Sequence, residues 1–197
     1  MSKEKRAKSS KGILIVISAP SGCGKTTIVE RLLKRHPDWG RSISVTTRDQ
    51  RVGEKPGGDY YFINREAFDD MKQKNELLES ATVFGNLYGT PKQHVLDRLE
   101  EGNNVLLAID VQGMLNIKKE HSEDLELMTV FVLPPSIKIL RERLEGRKTE
   151  SPEQIEKRLA MAQEEIKHAN FYDFTVMNQN LEQTVLDIEK YIEERNK

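Results

Sequence analysis

The chain has 197 residues, with 31 Lys and Arg against 32 Asp and Glu and a formal net charge of -1. This length suits one core domain with insertions or two small lobes, and the balanced charge argues against a dedicated nucleic-acid binder, which usually carries a basic surplus. The single cysteine, Cys23, excludes an internal disulfide, and the four histidines are scattered with no metal-ligand spacing. The composition fits a reducing, cytoplasmic compartment.

The N-terminal segment combines basic side chains with a short apolar run. Five Lys and Arg residues within 1–11 precede the run 13–17, a pattern that imitates a signal peptide. The run is much shorter than the roughly 18 residues of a membrane helix, and it leads directly into a phosphate-binding signature. We therefore expect residues 1–11 to be a flexible basic tail, with no leader and no membrane span.

Apolar periodicity predicts an alternation of strands and helices along the rest of the chain. Continuous apolar runs predict strands buried on both faces, and helical spacing of apolar residues predicts the elements between them. In order, the predicted elements are strand 12–18, helix 26–35, strand 105–109, strand 127–133, helix 136–144 with Pro135 in its first turn, strand 174–177 and helix 181–192. This alternation predicts an α/β sandwich around a parallel sheet.

Two stretches interrupt that alternation. Residues 42–90 carry short polar strands and a turn at 55–58, and we interpret them as an insertion with its own small sheet. Residues 146–158 read as a charged loop running into a helix. Ser151, Pro152 and Gln154 predict the start of that helix as N-cap, first helical residue and capping-box partner.

The strongest chemical signal is a phosphate-binding loop between the first strand and the first helix. It consists of Ala19, Pro20, Ser21, Gly22, Cys23, Gly24, Lys25 and Thr26. The Walker A pattern places glycine first, where this chain has Ala19, and the remainder matches. Gly22 and Gly24 permit backbone angles that aim successive N–H groups at an anion. Lys25 would reach the β- and γ-phosphates of a nucleotide, and the Thr26 hydroxyl would bind Mg²⁺.

A second group of polar and aromatic residues follows within the insertion. Arg48 and Arg51 lie three residues apart and could converge on one phosphate through their fork-like donors. Taken singly, these two arginines have an ordinary interpretation as solvated charges, and Thr90 before Pro91 has one as a helix cap.

In chain order the motifs resemble the guanylate kinase family. They are A-P-S-G-C-G-K-T, S-V-T-T-R-x-x-R-x-G-E, D-Y-x-F, G-N-x-Y-G-T, I-D-V-Q-G and R-L-x-x-R. The resemblance implies a P-loop three-layer sandwich around a parallel sheet, with an inserted nucleoside-monophosphate-binding lobe and a lid. Its implied boundaries are a domain of 12–197, with core 12–41, 91–142 and 159–197, GMP-binding lobe 42–90 and lid 143–158.

The resemblance also implies an activity, the ATP-dependent phosphorylation of GMP and dGMP with Mg²⁺ in purine nucleotide metabolism. The residues that it implies hold the GMP phosphate are Arg48, Arg51, Tyr60 and Tyr88, with Ser44 close by. Guanine would be read by Glu79, Thr90 and Asp110, and Asn178 would contact the adenine of ATP. Lys25, Arg48, Arg147 and Arg158 would stabilise the transferring phosphoryl group.

Guanine recognition by these residues is chemically sensible. The N1–H and N2–H₂ groups of guanine are donors that a carboxylate accepts well, and its O6 suits a hydroxyl donor. Adenine would leave such groups unpaired, and a mismatch of that kind discriminates strongly.

The chain departs from the family pattern at several positions. Ala108 stands where the family usually carries an acidic residue, which puts a role near Mg²⁺ in doubt. Lys148 replaces a lid glycine, and Gln179 replaces an aspartate after Asn178.

Two other functions remain open at this point. Guanylate-kinase-like modules of scaffold proteins bind phosphorylated peptides without an effective ATP site, but Lys25, Thr26, Arg147 and Arg158 argue against that here. A P-loop kinase for another small phosphate ester is the third interpretation. We expect ATP and GMP as partners, with no nucleic-acid polymer and no membrane, and the oligomeric state is left open.

Overall fold

A computed structural model describes residues 11–146 and 151–195 of the chain. Its first half contains β1 (Leu14–Ser18), α1 (Lys25–Arg35), β2 (Gly40–Arg41), β3 (Val45–Thr46), β4 (Tyr61–Phe62), α2 (Arg65–Gln73), β5 (Leu77–Val83), β6 (Asn86–Pro91) and α3 (Lys92–Glu100). Its second half contains β7 (Val105–Ala108), α4 (Val111–His121), β8 (Leu127–Leu133), α5 (Ile137–Glu145), α6 (Pro152–Ile166), a 3₁₀ turn (Ala169–Phe171), β9 (Phe174–Met177) and α7 (Leu181–Arg195).

The larger sheet has five parallel strands in the order β2-β7-β1-β8-β9. The side chains of β1 alternate between two hydrophobic clusters. Ile15 and Ile17 pack into one cluster, and Leu14 and Val16 pack into the other. Because both faces are covered, the apolar run of β1 is continuous, as expected for a strand buried in a parallel sheet. The predicted α/β sandwich around a parallel sheet is confirmed.

The smaller sheet has four strands in the order β4-β3-β6-β5. β5 and β6 form an antiparallel hairpin, β3 pairs antiparallel with β6, and β4 lies parallel to β3. Its own hydrophobic cluster contains Val45, Phe68 and Leu77. Helix α2, which is not predicted from the sequence, begins after its N-cap Asn64, whose side chain accepts the Ala67 N–H at 2.8 Å.

Local capping signals decide where several helices begin. The predicted capping box of α6 is present, with Ser151 and Gln154 bonding reciprocally. The prediction for Pro135 is wrong, because Ser136 is the N-cap of α5 and accepts the Ile139 N–H at 3.1 Å. Pro135 therefore precedes the cap instead of occupying the first turn. Within the described residues, no helix is long and apolar enough to cross a membrane.

Candidate functional site

A cavity of about 290 Å³ opens where the loops after β1 and β7 face the smaller sheet. Ligands of open α/β sheets bind at this carboxyl edge of the strands. The predicted residues that line the cavity are Ala19, Pro20, Ser21, Gly22, Gly24, Lys25, Thr26, Ser44, Arg48, Arg51, Tyr60, Glu79, Tyr88, Asp110 and Arg158. The fold therefore brings residues as distant in the sequence as Ala19 and Arg158 to the same cavity.

The phosphate-binding loop has the backbone that its glycines predict. Gly22 and Gly24 have φ angles of 95° and 86°, in the left-handed region that favours glycine. Helix α1 begins at Lys25, so its positive N-terminal end points at the loop. The Lys25 ammonium donates to the carbonyl of Ile109 at 3.1 Å. Burial lowers the pKa of Lys25, and the nearby carboxylates of Asp110 and Glu165 oppose that effect.

Cys23 and Asn178 occupy the buried side of the same loop. Neither is among the described residues that line the cavity. The Asn178 amide donates to the Cys23 carbonyl at 2.8 Å and accepts from the Thr184 hydroxyl at 3.3 Å. A Cβ at Gly24 would lie 2.8 Å from the Asn178 side-chain nitrogen. Asn178 therefore supports the loop on the side away from the cavity. Its contact with adenine stays a prediction.

Arg48 is held by Glu54 at the opposite side of the cavity. Its Nη2 donates to Glu54 Oε1 at 2.7 Å, and the other carboxylate oxygen of Glu54 accepts the Arg51 backbone N–H at 2.8 Å. One carboxylate therefore binds the guanidinium of Arg48 and the backbone of Arg51. Burial tends to raise the pKa of Glu54, but the contacts with Arg48 and Arg51 outweigh it and keep that pKa low.

Two tyrosines complete this side of the cavity. The Tyr60 and Tyr88 rings meet edge to face with centroids 5.9 Å apart. The Arg48 guanidinium carbon lies 5.5 Å from the Tyr60 centroid, within the usual cation–π range. Burial raises the pKa of Tyr60, so its hydroxyl stays protonated and able to donate to an anion.

Glu79 and Thr90 form a buried pair across the β5–β6 hairpin. The Thr90 hydroxyl donates to Glu79 Oε1 at 2.6 Å, and both residues are buried. Burial raises the pKa of Glu79 to about 7, while the Thr90 hydrogen bond lowers it in part. Thr90 is buried and is not among the described residues that line the cavity, so its contact with a guanine base stays a prediction.

Asp110 and Gly113 connect the larger sheet to Glu79. Asp110 caps α4 by accepting the Gly113 N–H at 2.8 Å. A Cβ at Gly113 would lie 2.6 Å from Glu79 Oε2, a distance that real Cβ atoms do not tolerate. The absence of a side chain at position 113 therefore lets the Glu79 carboxylate approach the first turn of α4.

Arg158 reaches the phosphate loop from α6. Its Nη1 donates to the Ser21 hydroxyl at 2.7 Å, and its guanidinium lies over the ring of Phe84. Arg147 and Lys148, both singled out from the sequence, lie outside the described residues.

Several residues of the site are not predicted from the sequence. Phe84 and Glu165 line the cavity, and Glu54, which the family motif contains without a role, holds Arg48 at its edge. Glu165 lies two helical turns after Arg158, and this i, i+7 spacing was the available signal. Burial raises the pKa of Glu165 to about 7, and the neighbouring Asp110 adds to the rise while Lys25 opposes it.

The residues present suit a magnesium ion held mainly by phosphates and water. Thr26 lines the cavity and is exposed at the start of α1, as the Walker A pattern requires. The residues that the structure describes contain no group of three or more His, Cys, Asp or Glu placed to hold a metal. Mg²⁺ seldom needs such a cage, because nucleotide phosphates and water supply most of its ligands.

Comparisons with known proteins find similar sequences and a similar fold. The family model described as guanylate kinase matches residues 11–195. A guanylate kinase of Carboxydothermus hydrogenoformans is 49% identical over 179 residues, covering 91% of this chain and 86% of that protein. One from Clostridioides difficile is 44% identical over 188 residues, covering 95% and 90%. The crystal structure of guanylate kinase from Anaplasma phagocytophilum matches with a TM-score of 0.80 and 35% identity, covering 95% of this chain and 87% of that chain.

Proposed function

The chain belongs to the guanylate kinase family, and we propose that it transfers the γ-phosphoryl group of ATP to GMP. One observation carries the proposal. The phosphate-binding loop and the predicted acceptor residues face each other across a single cavity. A donor phosphate chain on the loop would therefore point at an acceptor phosphate held by Arg48 and Arg51.

On the donor side, the loop and the start of α1 bind the phosphates of ATP. Gly22 and Gly24 shape the loop, and Lys25 supplies a fixed positive charge at the β- and γ-phosphates. Asn178 supports the loop through the Cys23 carbonyl. Thr26 is the residue that would hold Mg²⁺, which shields the phosphate charge when it is bound.

On the acceptor side, different residues bind the phosphate and the base of GMP. Arg48 and Arg51 hold the GMP phosphate, assisted by Tyr60, Tyr88 and Ser44, all of which line the cavity.

The guanine base is read at the other end of the acceptor site. The ionised carboxylate of Glu79 accepts from guanine N1–H and N2–H₂, Asp110 provides a second acceptor, and the Thr90 hydroxyl turns toward O6. These contacts go to phosphate and base, so dGMP, which lacks only the 2′-hydroxyl, is accepted as well.

The transfer step needs charge stabilisation and alignment. A GMP phosphate oxygen attacks the γ-phosphorus in line, the new P–O bond forms, and the bond to the bridging oxygen breaks as ADP leaves. Lys25, Arg48 and Arg158 stabilise the negative charge on the transferring oxygens, and Arg147 contributes from the segment outside the described residues. No side-chain nucleophile takes part. The GDP formed serves purine nucleotide metabolism in the cytoplasm, a compartment that the single cysteine suits.

A coupled assay of ADP release tests the proposal. ATP and Mg²⁺ are offered with GMP, dGMP, AMP, UMP or CMP in separate reactions, beside Lys25→Ala as the control. We expect turnover with GMP and dGMP that falls steeply with the other three and disappears in the control. Robust turnover with AMP or UMP would overturn the assignment of Glu79, Thr90 and Asp110. Tight GMP or phosphopeptide binding without turnover would favour the binding-module function.

A further inference from the structure

The turn that joins β5 to β6 contains an aromatic residue where turn chemistry disfavours one. Phe84 and Gly85 form a two-residue connection between the paired Val83 and Asn86, with φ angles of 48° and 79°. Positive φ at both central residues defines a type I′ turn, for which Asn, Asp and Gly are strongly preferred. A bulky residue in the left-handed region is strained, and such strain persists where function requires it.

Hydrophobic burial does not account for this aromatic residue. The side chain of Phe84 is 53% exposed, whereas the cluster beneath the smaller sheet is built from Val45, Phe68 and Leu77. Phe84 is therefore unfavourable for this turn, and its half-exposed side chain adds nothing to the packing of the hydrophobic cluster. Residues that break a local rule in this way are expected at functional sites.

The ring of Phe84 contacts one charged group at the edge of the cavity. The guanidinium carbon of Arg158 lies 5.4 Å from the ring centroid, within the range of about 6 Å for a cation–π contact. The same guanidinium donates to Ser21 in the phosphate-binding loop at 2.7 Å. Arg158 therefore spans the space between that loop and the tip of the hairpin.

We propose that Phe84 is a positioning residue that holds the Arg158 guanidinium over the phosphate-binding loop for phosphoryl transfer. A ring contacts the face of a guanidinium, whereas phosphate oxygens take hydrogen bonds from its edge. Phe84 can therefore orient Arg158 without competing for the oxygens that Arg158 must stabilise. This inference rests on the proposed function, in which Arg158 acts on the transferring group.

The hairpin also connects Arg158 to the acceptor. Glu79 lies on β5 and Tyr88 on β6, so the two strands that present GMP contacts are the strands that end at Phe84. GMP bound against this hairpin would hold the Phe84 ring in place, and the ring would in turn orient the Arg158 guanidinium. The contact thus couples acceptor binding to assembly of the charged groups around the γ-phosphate.

Four substitutions separate the ring from the turn. Phe84→Tyr and Phe84→Trp keep an aromatic face, Phe84→Leu keeps apolar bulk alone, and Phe84→Asn installs a preferred turn residue. We expect the Leu and Asn variants to lose about threefold to tenfold in kcat, the range expected for one cation–π contact. Tyr and Trp should stay within about twofold of the native kcat.

In the Leu and Asn variants we expect the KM for GMP to change less than kcat, because Phe84 acts through Arg158. The Asn variant should also unfold at an equal or higher temperature, because the turn strain is relieved. Native kcat in the Leu and Asn variants would overturn the proposal. A loss of kcat in the Tyr and Trp variants equal to that of Leu would overturn it too.

A double-mutant cycle with Arg158→Ala, which removes the cation, tests whether the two residues act together. We expect the Phe84→Asn effect on the residual kcat to vanish in the Arg158→Ala background, and independent effects would contradict the coupling. The same cycle applied to the free energy of unfolding reports the contact without any reaction. No coupling there would overturn this inference alone, whereas inactivity of the unmodified protein toward GMP would overturn the proposed function.

Discussion

The Thr90 hydroxyl donates to a carboxylate oxygen of Glu79 at 2.6 Å, between two buried residues of neighbouring strands. The hydrogen bond orients the carboxylate but does not neutralise it. Burial still dominates, so the Glu79 pKa is raised to about 7, within the pH range in which the protein would work.

This pKa predicts how acceptor affinity depends on pH. Guanine donors need the ionised carboxylate, so the KM for GMP should rise as pH falls below about 7, approaching tenfold per pH unit. The phosphate of GMP also titrates near pH 6. Glu79→Gln is the control, because it keeps the phosphate titration and removes the carboxyl. Parallel profiles of KM against pH for the two proteins would contradict the assignment of Glu79.

The same pKa predicts that the ionised carboxylate, which favours GMP binding, lowers the stability of the fold. The folded-state pKa of Glu79 lies above its unfolded value of 4.5, so the folded state loses stability as pH rises from 4.5 through about 7. Glu79→Gln should therefore raise the free energy of unfolding at pH 8 by about 3 kcal/mol. The difference should shrink as pH falls and vanish below pH 4.5, where the carboxyl becomes protonated in both states. Urea unfolding at pH 8 and pH 5 measures this, and a stability loss at pH 8 would be inconsistent with the account.

Gly113 should be required for guanine recognition. A Cβ at this position would lie 2.6 Å from Glu79 Oε2, so Gly113→Ala must displace the carboxylate. We expect the KM for GMP to rise about tenfold or more, because small misplacements at a site are costly. The KM for ATP should not change and provides the internal control. Helix propensity alone would favour alanine by about 1 kcal/mol, so a loss of GMP affinity would not reflect a weaker helix. Unchanged GMP kinetics would show that the Glu79 carboxylate can move without loss of guanine binding.

Glu54 should act through the acceptor arginines. Glu54→Gln removes the charge that anchors Arg48 but leaves an oxygen for the Arg51 N–H. We expect the KM for GMP to rise about threefold to tenfold, with the KM for ATP unchanged. The matched control is Glu66→Gln, an exposed residue in the first turn of α2. If both variants behave alike, Glu54 does not position Arg48.

Asn178 should support ATP binding from behind the phosphate-binding loop. Asn178→Ala removes the buried hydrogen bonds to Cys23 and Thr184. We expect a loss of about 1–3 kcal/mol in unfolding free energy and a KM for ATP that rises more than the KM for GMP. Gln179→Ala, at the exposed neighbouring position, should change neither quantity. Equal rises in both KM values would indicate a general loss of structure.

The sequence predicts those parts of the fold and site that depend on neighbouring residues. Continuous apolar strands, the glycines of the phosphate-binding loop and the capping box at Ser151 are local patterns, and the fold has each of them. Pro135 shows the limit of such patterns. A proline fits a first helical turn, but the adjacent Ser136 is a better cap and begins the helix one residue later.

Contacts between distant segments could not be predicted in this way. Glu54 and Phe84 carry no functional signature of their own, and their roles depend on where Arg48 and Arg158 come to lie. Gly113 is similar, because only the packing of α4 against β5 shows which atom a side chain would meet. The family resemblance implies an adenine contact for Asn178, whereas its amide donates to the loop backbone 155 positions away.

Product analysis tests the central claim most directly. The protein is incubated with equal ATP and GMP and with Mg²⁺, and all nucleotides and inorganic phosphate are quantified by chromatography and ³¹P NMR. We predict that one GDP forms for each ADP, with negligible inorganic phosphate and no conversion by Lys25→Ala. ADP accompanied by inorganic phosphate without GDP would contradict phosphoryl transfer to GMP.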